Sequence, residues 1–367
     1  DPRLGTRNTM SASDFRLVDW TQHTPIPEPP SFLQAIASEM LEKRLLRARL
    51  DPHAKAWLQQ ARQWRPAESQ TISSSSLLEQ LEAILNPAIR SQLERDEHAR
   101  VMLTVSPEKR LLVELFRELD GPSCLLSLLP AQVPEADSLG LPAALLELLQ
   151  RRSGILILAA PPGNGLSTTL AVCAQRILNN DNRLLLYVGH NPMLSPHGRL
   201  CVMPHERAQL EPGPIASNAC TSKRSPIWHS HFDVLLADDA HGELSAELIE
   251  SASTRLVIMS SQSLSLSSAC EALLAHTPLS SQSYLRHSLA QRVIGHHAQV
   301  LCQSRENQPV LASTLTIPTP AVRVLLEHGW NAPTSALFTA IETMHQKSTI
   351  SDQEREHWRQ QLLNEVD

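Results

Sequence analysis

Apolar and polar positions change their spacing several times along the chain, and each change predicts a different element. Between Ser31 and about Gln60, leucines and alanines recur at helical intervals, which predicts one or two helices. Ala61 to Ser76 is mostly polar and ends in four serines, so a loop is expected there. Leu77 to Leu93 returns to helical spacing, with Leu78, Leu81, Ile84 and Leu85 on one side. The period then shortens. VMLTV (101–105) and LLVELF (111–116) flank the turn signal SPEK and predict a β-hairpin, and CLLSLLP (124–130) reads as a third strand. Together these segments predict a small α+β domain over 31–130.

AQVPEADS (131–138) reads as a linker. Beyond it come a helix, LPAALLELLQRR, and the apolar strand GILILAA. Further strands are expected at RLLLYV (183–188), FDVLLAD (232–238) and RLVIMSS (255–261), with helices between most of them. Strands that alternate with helices predict a parallel, doubly wound sheet, here over 139–318. Gly189 to Ser230, rich in proline and histidine and without periodicity, reads as a long surface segment. The tail, 319–367, is helical at 319–328, 334–346 and 351–364, the last opening with a Ser351/Glu354 capping box. Residues 1–30 read as a leader before Met10 followed by an extended, proline-rich arm, TPIPEPP.

Composition narrows the class. At 367 residues the chain is long enough for two domains, and its 42% apolar and 19% charged residues are those of a globular protein. A net charge of -6 argues against general nucleic-acid binding. The six cysteines include no C-x-x-C pair and lie in apolar segments, so they read as reduced core residues of a cytoplasmic protein. No apolar run reaches the roughly 18–20 residues of a membrane-spanning helix, so no direct membrane insertion is expected. The 16 histidines form no compact ligand pattern and read as structural or surface residues, and no metal site is expected.

One stretch carries candidate chemistry. AAPPGNGLSTTL has the layout of a phosphate-binding loop: an apolar strand, a glycine-bearing turn, and hydroxyl residues opening an amphipathic helix. Against G-x-x-x-x-G-K-[ST], the aligned residues are Ala160, Pro161, Pro162, Gly163, Asn164, Gly165, Leu166 and Ser167, followed by Thr168. A helix N-terminus still favours an anion. The first glycine and the lysine are replaced, and a neutral leucine cannot stabilise charge developing on a transferring phosphoryl group. A second candidate is FDVLLADDAHGE, where Asp238 and Asp239 end an apolar strand and could hold magnesium opposite Ser167; a solvated acidic turn is the alternative.

Taken in order, these segments resemble the PilT-like secretion ATPases, the hexameric motors of type IV pili and type II secretion, over most of Val101 to Trp358. SLLPAQVPEADSLGLP resembles the family's strand, linker and entry helix, and APPGNGLSTTL its GPTGSGKSTTL. FDVLLADDA lies where the Walker B strand falls, SLAQRVIGHHAQVLC resembles the following Leu-Ala-Gln-Arg segment, and TPAVRVLLEHG the first C-terminal helix. The resemblance implies a RecA-like P-loop NTPase core, a small PAS-like N-terminal domain and a C-terminal helical subdomain. It also makes the departures legible. Asp239 stands for the family's Walker B glutamate and Asp238 for the glycine before it. Gly189 to Pro192 replaces an acidic box, and Ser260, Ser261, Gln262 and Ser263 stand where the family has a histidine box. The segment before Phe232 lacks clear arginines, and no four-cysteine zinc module is present, as in the retraction-type branch.

The resemblance with its losses implies a catalytically inactive, cytoplasmic pseudo-ATPase, with no catalytic residue and no obligatory cofactor. Such a protein would act as a structural or regulatory subunit of a pilus or secretion machine. Its expected partners are an active ATPase paralogue or an inner-membrane platform protein, in a homo- or hetero-oligomer. Two alternatives stand beside it: a divergent ATPase that retains weak Mg-ATP binding or slow hydrolysis, and a nucleotide-sensing or scaffold module outside such machines.

Overall fold

The computed structural model describes residues 16–19, 29–51, 55–60, 63–67, 79, 81, 84–85, 87–96, 98–118, 121–180, 183–188, 199–203, 232–238, 244–275, 277, 279–306, 308–329 and 335–364. The chain divides into two compact units. One comprises residues 22–133 with 306–308, and the other residues 1–21, 134–305 and 309–367.

The smaller unit is a six-stranded antiparallel sheet with helices packed on one face. Helix α1 (Ser31–Glu42) buries Leu33, Ile36, Ala37 and Met40, an i, i+3, i+4, i+7 stripe. The strands are β2 (Arg47–Leu50), β3 (Trp57–Gln60), β4 (Gln63–Pro66), β5 (His98–Ser106), β6 (Lys109–Glu118) and β7 (Gly121–Pro130), in the order β4-β3-β2-β7-β6-β5. Helix α2 (Pro87–Asp96) precedes β5. The register aligns buried residues across the whole sheet: Leu58 pairs with Ala48, Ala48 with Leu126, Leu126 with Val113, and Val113 with Val101. That row is the alternate-residue face that meets the α1 stripe.

Two expectations fail in this unit. Residues 43–60 do not continue the helix but form β2 and β3, and the expected loop over 61–76 contains β4. A four-residue strand shows only two inward positions, such as Ala48 and Leu50, and that spacing cannot distinguish a strand from a helix. The hairpin at SPEK forms, with Ser106 Oγ accepting from Lys109 N–H at 3.1 Å.

The larger unit is built on an eight-stranded sheet ordered β1-β10-β9-β11-β12-β8-β13-β14. Its strands are β1 (Arg16–Asp19), β8 (Gly154–Ala159), β9 (Leu185–Val188), β10 (Arg199–Met203), β11 (Val234–Ala237), β12 (Leu256–Ser261), β13 (Val293–Gln303) and β14 (Pro309–Thr316). The six inner strands run parallel and the two edges antiparallel, so the doubly wound sheet is mixed. Every residue of β8, β9, β11 and β12 is buried, as expected where helices cover both faces. The arm expected over 10–30 supplies β1, and the surface segment 189–230 contains β10. Strand β14 was not anticipated: its Thr and Ser positions dilute the apolar signal.

Helices α3 (Ala143–Leu148) and α4 (Leu166–Asn180) flank β8 in sequence. On one side of the sheet, α5 (Leu244–Ser251), α6 (Leu266–Ala275) and α7 (Leu279–Arg292) pack on Ile155, Ile157, Leu235 and Val257, and α8 (Pro320–Glu327) adds Leu326 to that core. Helices α9 (Ser335–Gln346) and α10 (Asp352–Asn364) share a second core with Ala298, Val300, Cys302 and Ala312 of β13 and β14. Helices α8, α9 and α10 belong to the same compact unit as the sheet. Cys124, Cys173, Cys270 and Cys302 are buried thiols, and burial pushes the first three up to about 12.

Candidate functional site

The candidate loop leaves the C-terminal end of β8, in the middle of the sheet, and enters α4. Ala160 still belongs to the sheet edge: it is buried, and its N–H donates to the Ser261 carbonyl at 3.1 Å. Pro162 and Gly163 are exposed, while Asn164, Gly165, Leu166, Ser167 and Thr168 are half-buried. Gly163 and Gly165 have φ of 77° and 79°, the left-handed region that glycine enters without steric cost. The turn is closed by Asn164 N–H donating to the Pro161 carbonyl at 3.1 Å, and Asn164 Nδ2 donates to the Pro162 carbonyl at 3.2 Å. Helix α4 starts at Leu166, and the Thr169 N–H closes its first turn on the Gly165 carbonyl at 3.0 Å. The N–H groups of Leu166, Ser167 and Thr168 therefore precede the first intrahelical bond and have no intrahelical carbonyl to meet.

Asp238 sits at the same edge of the sheet. It follows Ala237, which pairs with Met259 of β12, while Ser261 of β12 pairs with Ala159 at the foot of the loop. One strand thus separates the acid from the loop, on the order of 10 Å between strand axes. Ligands of open α/β sheets bind at this carboxyl edge. One carboxylate oxygen of Asp238 is engaged, accepting from the Tyr187 hydroxyl at 3.0 Å. Asp239, Gly189 to Pro192, and the segment immediately before Phe232 lie outside the described residues. Among the described residues no group of three or more His, Cys, Asp or Glu is placed to hold a metal ion.

Sequence reasoning missed the residues behind the loop. On β13, Gln299 is fully buried and its Nε2 donates to the Asn164 carbonyl at 2.8 Å. Its Oε1 accepts from Thr169 Oγ at 2.8 Å and lies 3.2 Å from His297 Nε2. Leu301 N–H donates to Asn164 Oδ1 at 2.9 Å. These contacts fix the hydrogens: a carbonyl such as that of Asn164 only accepts, so the amide nitrogen of Gln299 must face it and the oxygen must face Thr169 and His297. His297 then carries its proton on Nε2, and its buried Nδ1, which has no partner among the described residues, is the unprotonated nitrogen. Burial pushes both His297 and His296 down to about 4, which keeps both rings neutral. His296 Nε2 lies 3.3 Å from the Ser263 carbonyl, so a histidine does meet the Ser260–Ser263 segment, delivered from β13 and not from that segment's own sequence. The available signal was the polar residues His296, His297 and Gln299 in the middle of a largely apolar strand, since buried polar groups need partners.

No family model matches the chain. It is 24% identical over 275 residues to YggR, an uncharacterised protein of Escherichia coli strain K12, covering 72% of this chain and 82% of that protein. The pilus retraction motor PilT, solved with bound ADP, superposes with a TM-score of 0.64 at 18% identity, covering 88% of this chain and 95% of that one. The ATPase DotB of Legionella pneumophila superposes with a TM-score of 0.67 at 14% identity, covering 91% and 97%. DotB of Yersinia pseudotuberculosis gives 0.64 at 14% identity, covering 91% and 95%. The chain has the fold of these PilT-like pilus and secretion ATPases.

Proposed function

We propose that the chain is a PilT-like pseudo-ATPase: a subunit of a type IV pilus or secretion machine that uses the motor fold for structure or regulation instead of ATP turnover. The observation that carries this reading is the state of the loop. It keeps two left-handed glycines and a helix start, yet its first helical residue is Leu166. A charge-assisted hydrogen bond contributes roughly 1.5–3 kcal/mol net, so the missing lysine alone weakens phosphate binding about 10- to 100-fold. The Asn164 N–H, which a phosphate would need turned outward, is satisfied inside the turn by Pro161. On this reading the smaller unit is the PAS-like N-terminal module, and the degenerate loop, Ala160 to Thr168 with Asp238 and Asp239, is inherited architecture. The protein then works in the cytoplasm, held at the inner membrane by an ATPase paralogue or platform protein. Among the described residues no helix is long and apolar enough to cross a membrane.

The test is calorimetry with Mg-ATP, combined with solution mass and a phosphate-release assay. The expected outcome is no binding heat and no turnover; a saturating micromolar isotherm or steady phosphate release overturns the reading. One feature favours a divergent nucleotide-binding protein instead: the first-turn N–H groups of α4, aimed at the same sheet edge as Asp238, form a generic anion site. In that case Mg-ATP raises the melting temperature and Gly165→Asp abolishes the shift. A protein silent to nucleotide that recovers no pilus or secretion component in a pull-down is a scaffold outside such machines.

A further inference from the structure

We infer that β13 is a built-in latch, with Gln299 and Asn164 holding the phosphate-loop-like turn in shape without any ligand. Phosphate-binding loops are commonly organised around their anion, whose charge gathers several backbone N–H groups. Here the organising groups come from the protein. The turn presents two acceptors to β13, the Asn164 carbonyl and the Asn164 side-chain oxygen, and both are met, by Gln299 Nε2 at 2.8 Å and Leu301 N–H at 2.9 Å.

The latch is also anchored away from the loop. Gln299 is fully buried, and an amide there is tolerated only if its groups are bonded. Its oxygen joins Thr169, in the first turn of α4, to His297 on the same strand, so one side chain ties strand, loop and helix together. Gly165 runs close beside it: a Cβ there would stand in ordinary contact, 3.4 Å from Gln299 Nε2 and 3.5 Å from Leu301 Cδ1, so it is the φ of 79° that asks for glycine. The opposite face of β13 is fixed in turn, because Ala298, Val300 and Cys302 pack with α9 and α10, and Gln303 N–H donates to Glu354 Oε1 at 2.9 Å. A strand held on both faces is a firm post for a turn whose tip is exposed. The latch does not depend on whether the loop binds nucleotide.

The experiment is amide hydrogen exchange on the full chain, read at residues 164 and 169, for the native protein, Asn164→Ala, Gln299→Met and Thr169→Val, each with and without Mg-ATP. Asn164 is half-buried in a turn, so its alanine variant removes the Leu301 bond, together with the weaker local bond from Nδ2 to the Pro162 carbonyl, with little risk to folding. In Asn164→Ala and Gln299→Met both amides exchange about five- to tenfold faster, the factor expected for one net hydrogen bond. The paired amides of β13 and β14 stay at their native rates. Thr169→Val spares both loop bonds and leaves residue 164 unchanged. Native protection is the same with and without Mg-ATP. Native rates at residue 164 in a folded Asn164→Ala overturn the latch, as does protection in the native protein that appears only with Mg-ATP. Should Gln299→Met fail to fold, Asn164→Ala alone decides. Nucleotide binding accompanied by a ligand-independent latch would overturn the pseudo-ATPase reading and leave this inference standing.

Discussion

Two adjacent histidines show how much a single residue's meaning depends on its surroundings. In sequence, His296 and His297 are two of 16 and belong to no ligand pattern. In the fold they are buried and neutral, one bonded to the Ser263 carbonyl and the other to Gln299. Their folded pKa of about 4 lies below the unfolded value of 6.5. The unfolded chain therefore binds more protons between those values. The stability these rings contribute is complete above pH 6.5 and is lost as pH falls toward 4, at up to about 1.4 kcal/mol per pH unit for each ring. Urea unfolding at pH 7 and pH 5 should show that loss, and a His297→Gln variant should show a shallower decline. An equal decline in the variant would assign the acid sensitivity to other groups. Leu166 is the opposite case. That position 166 carries no charge follows from its identity alone, and no fold is required to see it.

At the scale of elements, α4, α9 and α10 were legible because burial on one face imposed a helical period, and the central strands because burial on both faces made them continuous apolar runs. Short strands were not, for the reason seen at β2 and β3: two inward positions fit either period. Helix ends are the other feature that only the backbone discloses. Helix α1 stops with Arg44 at φ 54°, where Arg44 N–H bonds the Leu41 carbonyl at 3.2 Å and Leu45 N–H bonds the Met40 carbonyl at 2.8 Å. Helix α9 stops the same way, with Ser348 at φ 57° and Thr349 N–H bonding the Met344 carbonyl at 2.9 Å. This is the motif in which glycine is the favoured residue, since any Cβ is strained there. Arg44 is exposed, so Arg44→Gly should stabilise the protein by about 0.5–1 kcal/mol, relief of αL strain exceeding the entropic cost of glycine. A denaturation midpoint that falls instead would mean the Arg44 side chain contributes more than the turn costs.

On the scale of the whole molecule, each compact unit closes its own core, and a division between them falls between Val133 and Pro134. Damage to one core should then be felt in one unit. Leu126, fully buried in the smaller unit, is the central residue of the row running from Leu58 to Val101. Leu126→Ala should cost about 2–5 kcal/mol through the cavity it leaves. In differential scanning calorimetry the transition of residues 22–133 should move down while the larger unit's holds its temperature. A single transition displaced as a whole would show that the two units unfold together. The order of apolar strand, loop, acid-ending strand and tail helices along the chain was legible, because each is a local run of one spacing.

By itself the sequence determined that residue 166 carries no charge and that position 160 is not a glycine, because these are properties of single positions. It also determined the alternation of strands and helices that builds the large sheet, because burial on both faces demands continuous apolar runs. Only the tertiary structure decided what holds the loop. Gln299 lies 135 positions from Asn164, and their bond exists because β13 pairs beside β8 and turns that residue's side chain toward the turn. Pairing across such a distance leaves no local period in the chain, so the latch is a consequence of topology acting on residues that look, one by one, like ordinary polar interruptions of a strand.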